Sequence, residues 1–123
     1  KFRGLGIDMN EWFTGHYTEG QPCYHYITRT GGYVWQVIPK TVGEFTGLKD
    51  KNGVEIYEGD IVMVYPYGYL NYKSIQFQPY NALVEYKLGD FGKEIRCSPF
   101  NHSYSSIEII GNIYQNPELL TTK

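Results

Sequence analysis

The sequence predicts a mainly β fold, built as small barrel-like, meandering sheets with short helical turns between strands. Three observations carry this. First, 13 tyrosines, six phenylalanines and two tryptophans make 17% of the chain aromatic, a composition that favours strands and broad contact surfaces. Second, turn signals recur at short spacing, at Gly31-Gly32, Asp50 to Gly53, Glu58-Gly59-Asp60 and Gly111-Asn112. Third, the runs between them, such as YVWQVI and IVMVY, are short, apolar and rich in β-branched residues, the pattern of strands bounded by turns.

Taken in order, FRGLGID and EWFTGHY flank Met9-Asn10, and asparagine tolerates the left-handed backbone of a hairpin turn. CYHYITR follows as a strand. GGYVWQVIP is another, opened by Gly31-Gly32 and ended by Pro39. PKTVGEFTG is read as one helical turn begun by Pro39 or Thr41 and ended by Gly47. In LKDKNGVEI, Asp50 can accept backbone N–H groups, Asn52 suits the bridge region, and Gly53 takes positive φ without a Cβ penalty, which predicts a type I turn with a glycine bulge. FTGLKD and GVEIY then pair as a hairpin. Glu58-Gly59-Asp60 turns the chain into IVMVY, apolar on both faces and hence central in its sheet. A long aromatic loop is expected through about residue 79, then a strand ALVEYKL and a Gly-Asp turn. SSIEIIGNIY is a late strand with a bulge or bend at Gly111-Asn112. NPELL starts a short helix, with Asn116 as cap and Pro117 at its first position.

At 123 residues the chain fits one domain over 1–123, divisible into interlocked β subdomains of about 1–45 and 46–115 with a short C-terminal tail. A net charge of −2 supplies no global field toward DNA or anionic lipid, and there is no Lys/Arg run. No apolar stretch approaches the roughly 20 residues that span a bilayer, and KFRGLGIDMNEW has no apolar core of the secretory kind. These features predict an intracellular protein without membrane partners. Cys23 and Cys97, the two cysteines, are read as free thiols.

TVGEFTGLKDKNGVEIYEGDIV, the opening KFRG with EWFTG, and the closing IIGNIYQNPELL together resemble the YopX family, small proteins of bacteriophages and prophages, chiefly of Gram-positive bacteria. The motifs occur in the family's order and bracket the chain from residue 1 to about 120. DMNEW departs from the pattern, because the family often places a glycine before Glu-Trp, and segment 65–80 matches none of its motifs. The resemblance implies a mostly β, phage-encoded protein in the cytoplasm of the bacterial host and points to a homo-oligomer. It implies no activity, cofactor or catalytic residue. Gly47, Gly53, Gly59 and Gly111, with Asp50, Asn52 and Asp60, are assigned to turns.

Three constellations could carry chemistry. Cys23 and His25 lie two apart on one strand, and with Cys97 and His102 they would make a Cys₂His₂ zinc set if the segments met, but the spacing matches no zinc module. Glu55, Glu58 and Asp60, with Asp90 and Glu94, offer carboxylates for a metal-dependent nuclease, although turn formation accounts for Asp60. His16, His25, His102 and the nearby Ser103, Ser105 and Ser106 form no triad signal, and no phosphate loop or nucleophile elbow is present. Tyr65, Tyr67, Tyr69, Tyr72 and Tyr80 form the third group, with Lys73 their sole basic neighbour, which favours protein contact over nucleic acid. The expected function is non-catalytic binding or assembly through homo-oligomerisation or a host protein, without cofactor. The alternative is an SH3-like small barrel binding single-stranded nucleic acid, and a metal-dependent enzyme stands third.

Overall fold

The computed structural model describes residues 1–8, 10–20, 24–66, 78–89, 92–98 and 104–120. Among the described residues, ten strands are hydrogen-bonded in two antiparallel series, β4-β3-β2-β1-β5-β6 and β10-β7-β8-β9. The mainly β reading with short helical turns stands, and among the described residues the sheets stay open and do not close into a barrel. The chain divides into two compact units, Lys1–Phe45 and Thr46–Lys123.

In the first unit, β1 (Phe2–Leu5) and β2 (Trp12–Gly20) pair with Leu5 opposite Trp12. The connection needs left-handed backbone, and Asp8 (φ 63°) and Asn10 (φ 51°) provide it. Strands β3 (Tyr24–Arg29) and β4 (Tyr33–Gln36) continue the meander through Gly31-Gly32, both at positive φ. Phe13, Ile27 and Val37 form the buried centre, with Phe2, Tyr17, Trp35 and Val42 packed around it. Burying each such side chain contributes about 1.5–3 kcal/mol.

Beyond β4, Val37 bridges back to Gly6, and the Gln36 carbonyl accepts from Ile7 N–H at 3.1 Å. A 3₁₀ turn, Pro39–Thr41, follows. It stops at Val42 and not at Gly47, because Thr41 is drawn inward: its Oγ1 accepts Leu5 N–H at 2.9 Å and donates to the Ile38 carbonyl at 2.6 Å. Gly43–Lys49 is then strand β5, which places Gly47 inside a strand, and its first residues pair with β1.

In the second unit, the end of β5 and β6 (Glu55–Tyr57) flank the Asp50–Gly53 turn. Asp50 N–H donates to the Val54 carbonyl at 2.8 Å, Gly53 N–H to the Asp50 carbonyl at 3.0 Å, and Gly53 has φ 83°, as the sequence predicts. β7 (Asp60–Pro66) lies between β8 (Tyr80–Gly89) and β10 (Tyr104–Asn112), the central position its two apolar faces require. Ile56, Val62, Val64, Ala82, Val84 and Ile107 make this unit's core.

β9 (Gly92–Ser98) is a strand the sequence reading did not anticipate. The register of β10 slips between Ile109 and Gly111, which is the expected bulge. The C-terminal turn, Pro117–Leu120, is 3₁₀. Here Asn116 serves differently from the expected cap: its Oδ1 accepts Asn112 N–H at 3.2 Å, and Asn81 Nδ2 holds the Leu119 carbonyl at 2.9 Å.

Candidate functional site

Of the residues assigned to turns, Gly47 and Gly111 lie inside strands β5 and β10, and the others sit at the corners. Asp50 Oδ1 accepts the N–H groups of Asn52 and Val54, both at 2.9 Å, while its Oδ2 reaches Ile109 N–H of β10 at 3.0 Å. Burial alone would raise the Asp50 carboxyl, but these three backbone donors, with Lys51 beside it, hold it below the ordinary carboxylate range. Asp60 is buried and accepts Tyr57 N–H at 2.8 Å. Gly47 and Gly59 have φ of 85° and 95°. Gly111 is needed for space, because a Cβ there would lie 2.7 Å from Asn116 Oδ1.

Of the metal candidates, Cys23 and His102 lie outside the described residues. Cys97 is placed by its backbone opposite Val84, and His25 sits on β3 with its Nδ1 hydrogen-bonded to the Tyr17 hydroxyl. Among the described residues no three His, Cys, Asp or Glu side chains gather into a metal-sized group. Of the acidic candidates, Glu55 accepts the Tyr57 hydroxyl at 2.9 Å, and Glu58 sits in the turn before β7. Glu94 is opposite Lys87 in register, and Asp90 lies outside the described residues.

The tyrosine group divides. Tyr67, Tyr69 and Tyr72 lie outside the described residues. Tyr65 and Tyr80 belong to strands and not to a loop. The Tyr65 hydroxyl donates to Glu108 Oε1 at 3.3 Å, and the Lys51 ammonium lies 4.6 Å from the Tyr65 ring centre and 3.6 Å from Glu108. Desolvation works against that ammonium's charge, but Glu108 and Tyr65 outweigh it and raise the Lys51 pKa. Tyr80 is half-buried against the second unit's core.

Among the described residues, an exposed aromatic surface lies in the first unit, at residues the sequence reading does not single out. Register and strand alternation put His16, Thr18 and Gly20 of β2, Tyr24, Tyr26 and Thr28 of β3, and Val34 and Gln36 of β4 on one face. None is Lys, Arg, Asp or Glu. Tyr24 is 44% exposed and Val34 54%. The Tyr24 and Tyr26 rings are 6.4 Å apart and tilted, and Tyr26 covers Gly20, where a Cβ would meet its ring at 2.9 Å.

The other face carries the core. Trp35 stacks on Phe13 at 4.5 Å, and Tyr33, 65% exposed, stacks on Trp35 at 6.0 Å. There Tyr17 donates its hydroxyl to Glu19 Oε1 at 3.1 Å, and burial, then Glu19, raise its pKa. Val37 N–H donates to the His25 carbonyl of β3, so alternation turns the Val34 backbone groups away from β3.

The model of the YopX protein family matches residues 5–121. The chain belongs to the YopX family. Among solved structures, this YopX family member is similar to protein EF1440 from Enterococcus faecalis. The two are 23% identical, with 98% of this chain and 97% of that chain covered and a TM-score of 0.55. At that identity the likeness concerns the fold. No curated protein matches the chain significantly. No helix among the described residues is long and apolar enough to cross a membrane.

Proposed function

We propose that this YopX protein is a non-catalytic binding or assembly protein of a phage or prophage, acting in the host cytoplasm through homo-oligomerisation or a host-protein partner. The phage setting and cytoplasmic location rest on the family resemblance. The contact role rests on one observation, the uncharged outer face of β2, β3 and β4 with Tyr24, Tyr26 and Val34 upon it. Depletion of charge with enrichment in tyrosine marks the centre of protein contacts. Tyrosine also supplies large, rigid contact area at low entropic cost. Val34 presents a single outward backbone pair, so side-chain burial on this face carries more of the binding than strand addition does.

Self-association is the first expectation. Sedimentation velocity of the wild type should show a discrete oligomer, and the double variant Tyr24→Ser, Val34→Asp should weaken it about 100-fold, the size expected for truncating central contacts. A wild type monomeric at every concentration would rule out self-association and turn the reading to a host protein. An oligomer indifferent to the variant would move the interface elsewhere, with Tyr67, Tyr69 and Tyr72 next in line.

A further inference from the structure

We propose that a cleft in the first unit binds a phosphate group, a role beyond the contact face described above. The cleft measures about 350 Å³ and is lined by Thr14–His16, Thr28–Thr30 and Lys1. It arises where β2 changes partners. Gly15 is the last β2 residue opposite β1, paired with Phe2, and His16 is the first opposite β3, paired with Thr28. The exchange brings the Thr28 carbonyl so close that a Cβ on Gly15 would sit 2.2 Å from its oxygen.

The lining has one chemical character. It offers a guanidinium, an ammonium, an imidazole and three threonine hydroxyls, and among the described residues no carboxylate lines it. That local character opposes the chain's net charge of −2. Arg29 is the anchor. Its Nε–H donates to the Thr14 carbonyl at 3.1 Å, Nη2 reaches Thr14 Oγ1 at 3.5 Å, and the guanidinium lies 5.2 Å from the Trp35 ring centre. An exposed arginine ordinarily loses much rotamer entropy on binding, whereas this one is already pinned. A guanidinium carries five N–H donors, so three remain after the two bonds to Thr14. A fixed guanidinium with parallel N–H groups matches phosphate oxygens in bidentate fashion. The Thr14 and Thr30 hydroxyls add donors that rotate to suit, while the Thr28 hydroxyl already donates to the His16 carbonyl at 3.5 Å. The volume is at the small end for small-molecule sites, which fits phosphate with at most a sugar-sized substituent.

The test is an amide NMR titration of the full chain with inorganic phosphate and, separately, with ribose 5-phosphate. Saturable shifts confined to Phe2, Thr14–His16 and Thr28–Thr30 are expected. Arg29→Lys, which keeps the charge and loses the fork, should weaken binding about tenfold. Thr30→Val, in the turn after β3, should weaken it severalfold while leaving the free protein folded, and it serves if Arg29→Lys disturbs the fold. Tighter binding of the ester assigns the cleft to a phosphorylated small molecule, and equal binding assigns it to the free ion. Either supports a phosphate site. Shifts reproduced by chloride at equal ionic strength, no saturation with either probe, or affinity unchanged in both variants would overturn it. The cleft shares His16 and Thr28 with the contact face, but neither Arg29 nor Thr30 belongs to that face, so sedimentation of these two variants shows whether one proposal fails without the other.

Discussion

Asp50→Ala is expected to destabilise the protein by about 3 kcal/mol and to lower its Tm by about 10 °C. The carboxylate ties two levels of the second unit together. Within the hairpin it accepts Asn52 and Val54 N–H groups and so shapes the turn. Across the unit it accepts Ile109 N–H, while the adjacent Lys51 N–H donates to the Ile107 carbonyl at 3.0 Å. The turn thereby occupies the outward edge of β10, standing in for a further strand and covering groups that would invite foreign pairing. Alanine leaves three backbone donors without this acceptor, and hydrogen bonds to a charged group contribute about 1.5–3 kcal/mol each, though not additively. Urea titration followed by far-UV circular dichroism measures the loss. A change below about 1 kcal/mol would show that water replaces the carboxylate at little cost and that the β10 link is dispensable.

The same carboxylate carries a pH signature. Its folded pKa lies below the ordinary 3.8. Its contribution is therefore fully present above that value and is lost as pH falls through the lower folded value. Asp50→Asn keeps the shape and one acceptor oxygen but turns an N–H₂ group toward a backbone donor. It should be less stable than wild type at neutral pH, and the gap should narrow as the wild type is acidified below 3.8. A gap independent of pH over that range would mean that ionisation of Asp50 is not what holds the turn.

How legible these features were depends on how local their causes are. The Asp50–Gly53 turn and the Glu58-Gly59-Asp60 corner are readable because a defining bond of each is local, Asp50 to Asn52 and Val54, and Asp60 to Tyr57. The bond from Asp50 to Ile109 spans 59 positions, and nothing in LKDKNG announces it. β9 is hidden in the sequence because GKEIRCS interleaves charges with few β-branched residues, and its strand state comes from pairing with β8. The helical turn is shorter than the sequence suggests because Gly47 resembles a stop, although Val42 and Phe45 are better suited to strand. The contact face was hidden for a related reason. The strands containing Tyr24 and Val34 were identified, but which face turns to solvent depends on register between strands, not on either segment alone. The cleft was least legible, since Lys1, His16 and Arg29 are scattered in sequence and meet only where β2 changes partners.

Gly15→Ala is expected to cost about 3–4 kcal/mol and to act on the first unit. Two effects combine. The residue has φ +156°, which L side chains rarely adopt, and the added methyl would lie 2.2 Å from the Thr28 carbonyl oxygen, a backbone atom that cannot swing aside. Strained backbone alone costs about 1–3 kcal/mol, and relieving the clash requires β2 and β3 to part at the start of their ladder. Gly32→Ala separates the two causes, because Gly32 has φ +86° with nothing within 4 Å of the added methyl; it carries strain without clash and should cost about 1 kcal/mol. Both tryptophans, Trp12 and Trp35, lie in this unit, so tryptophan fluorescence during urea unfolding reports on it selectively. Equal losses in the two variants would show that backbone strain governs both sites and that the approach of Thr28 is easily relaxed. A much larger loss for Gly15→Ala would establish that close approach shapes this end of the β2–β3 ladder. The same variant should then lose the phosphate-dependent shifts even under conditions where it stays folded, because the cleft walls are the two segments the methyl forces apart.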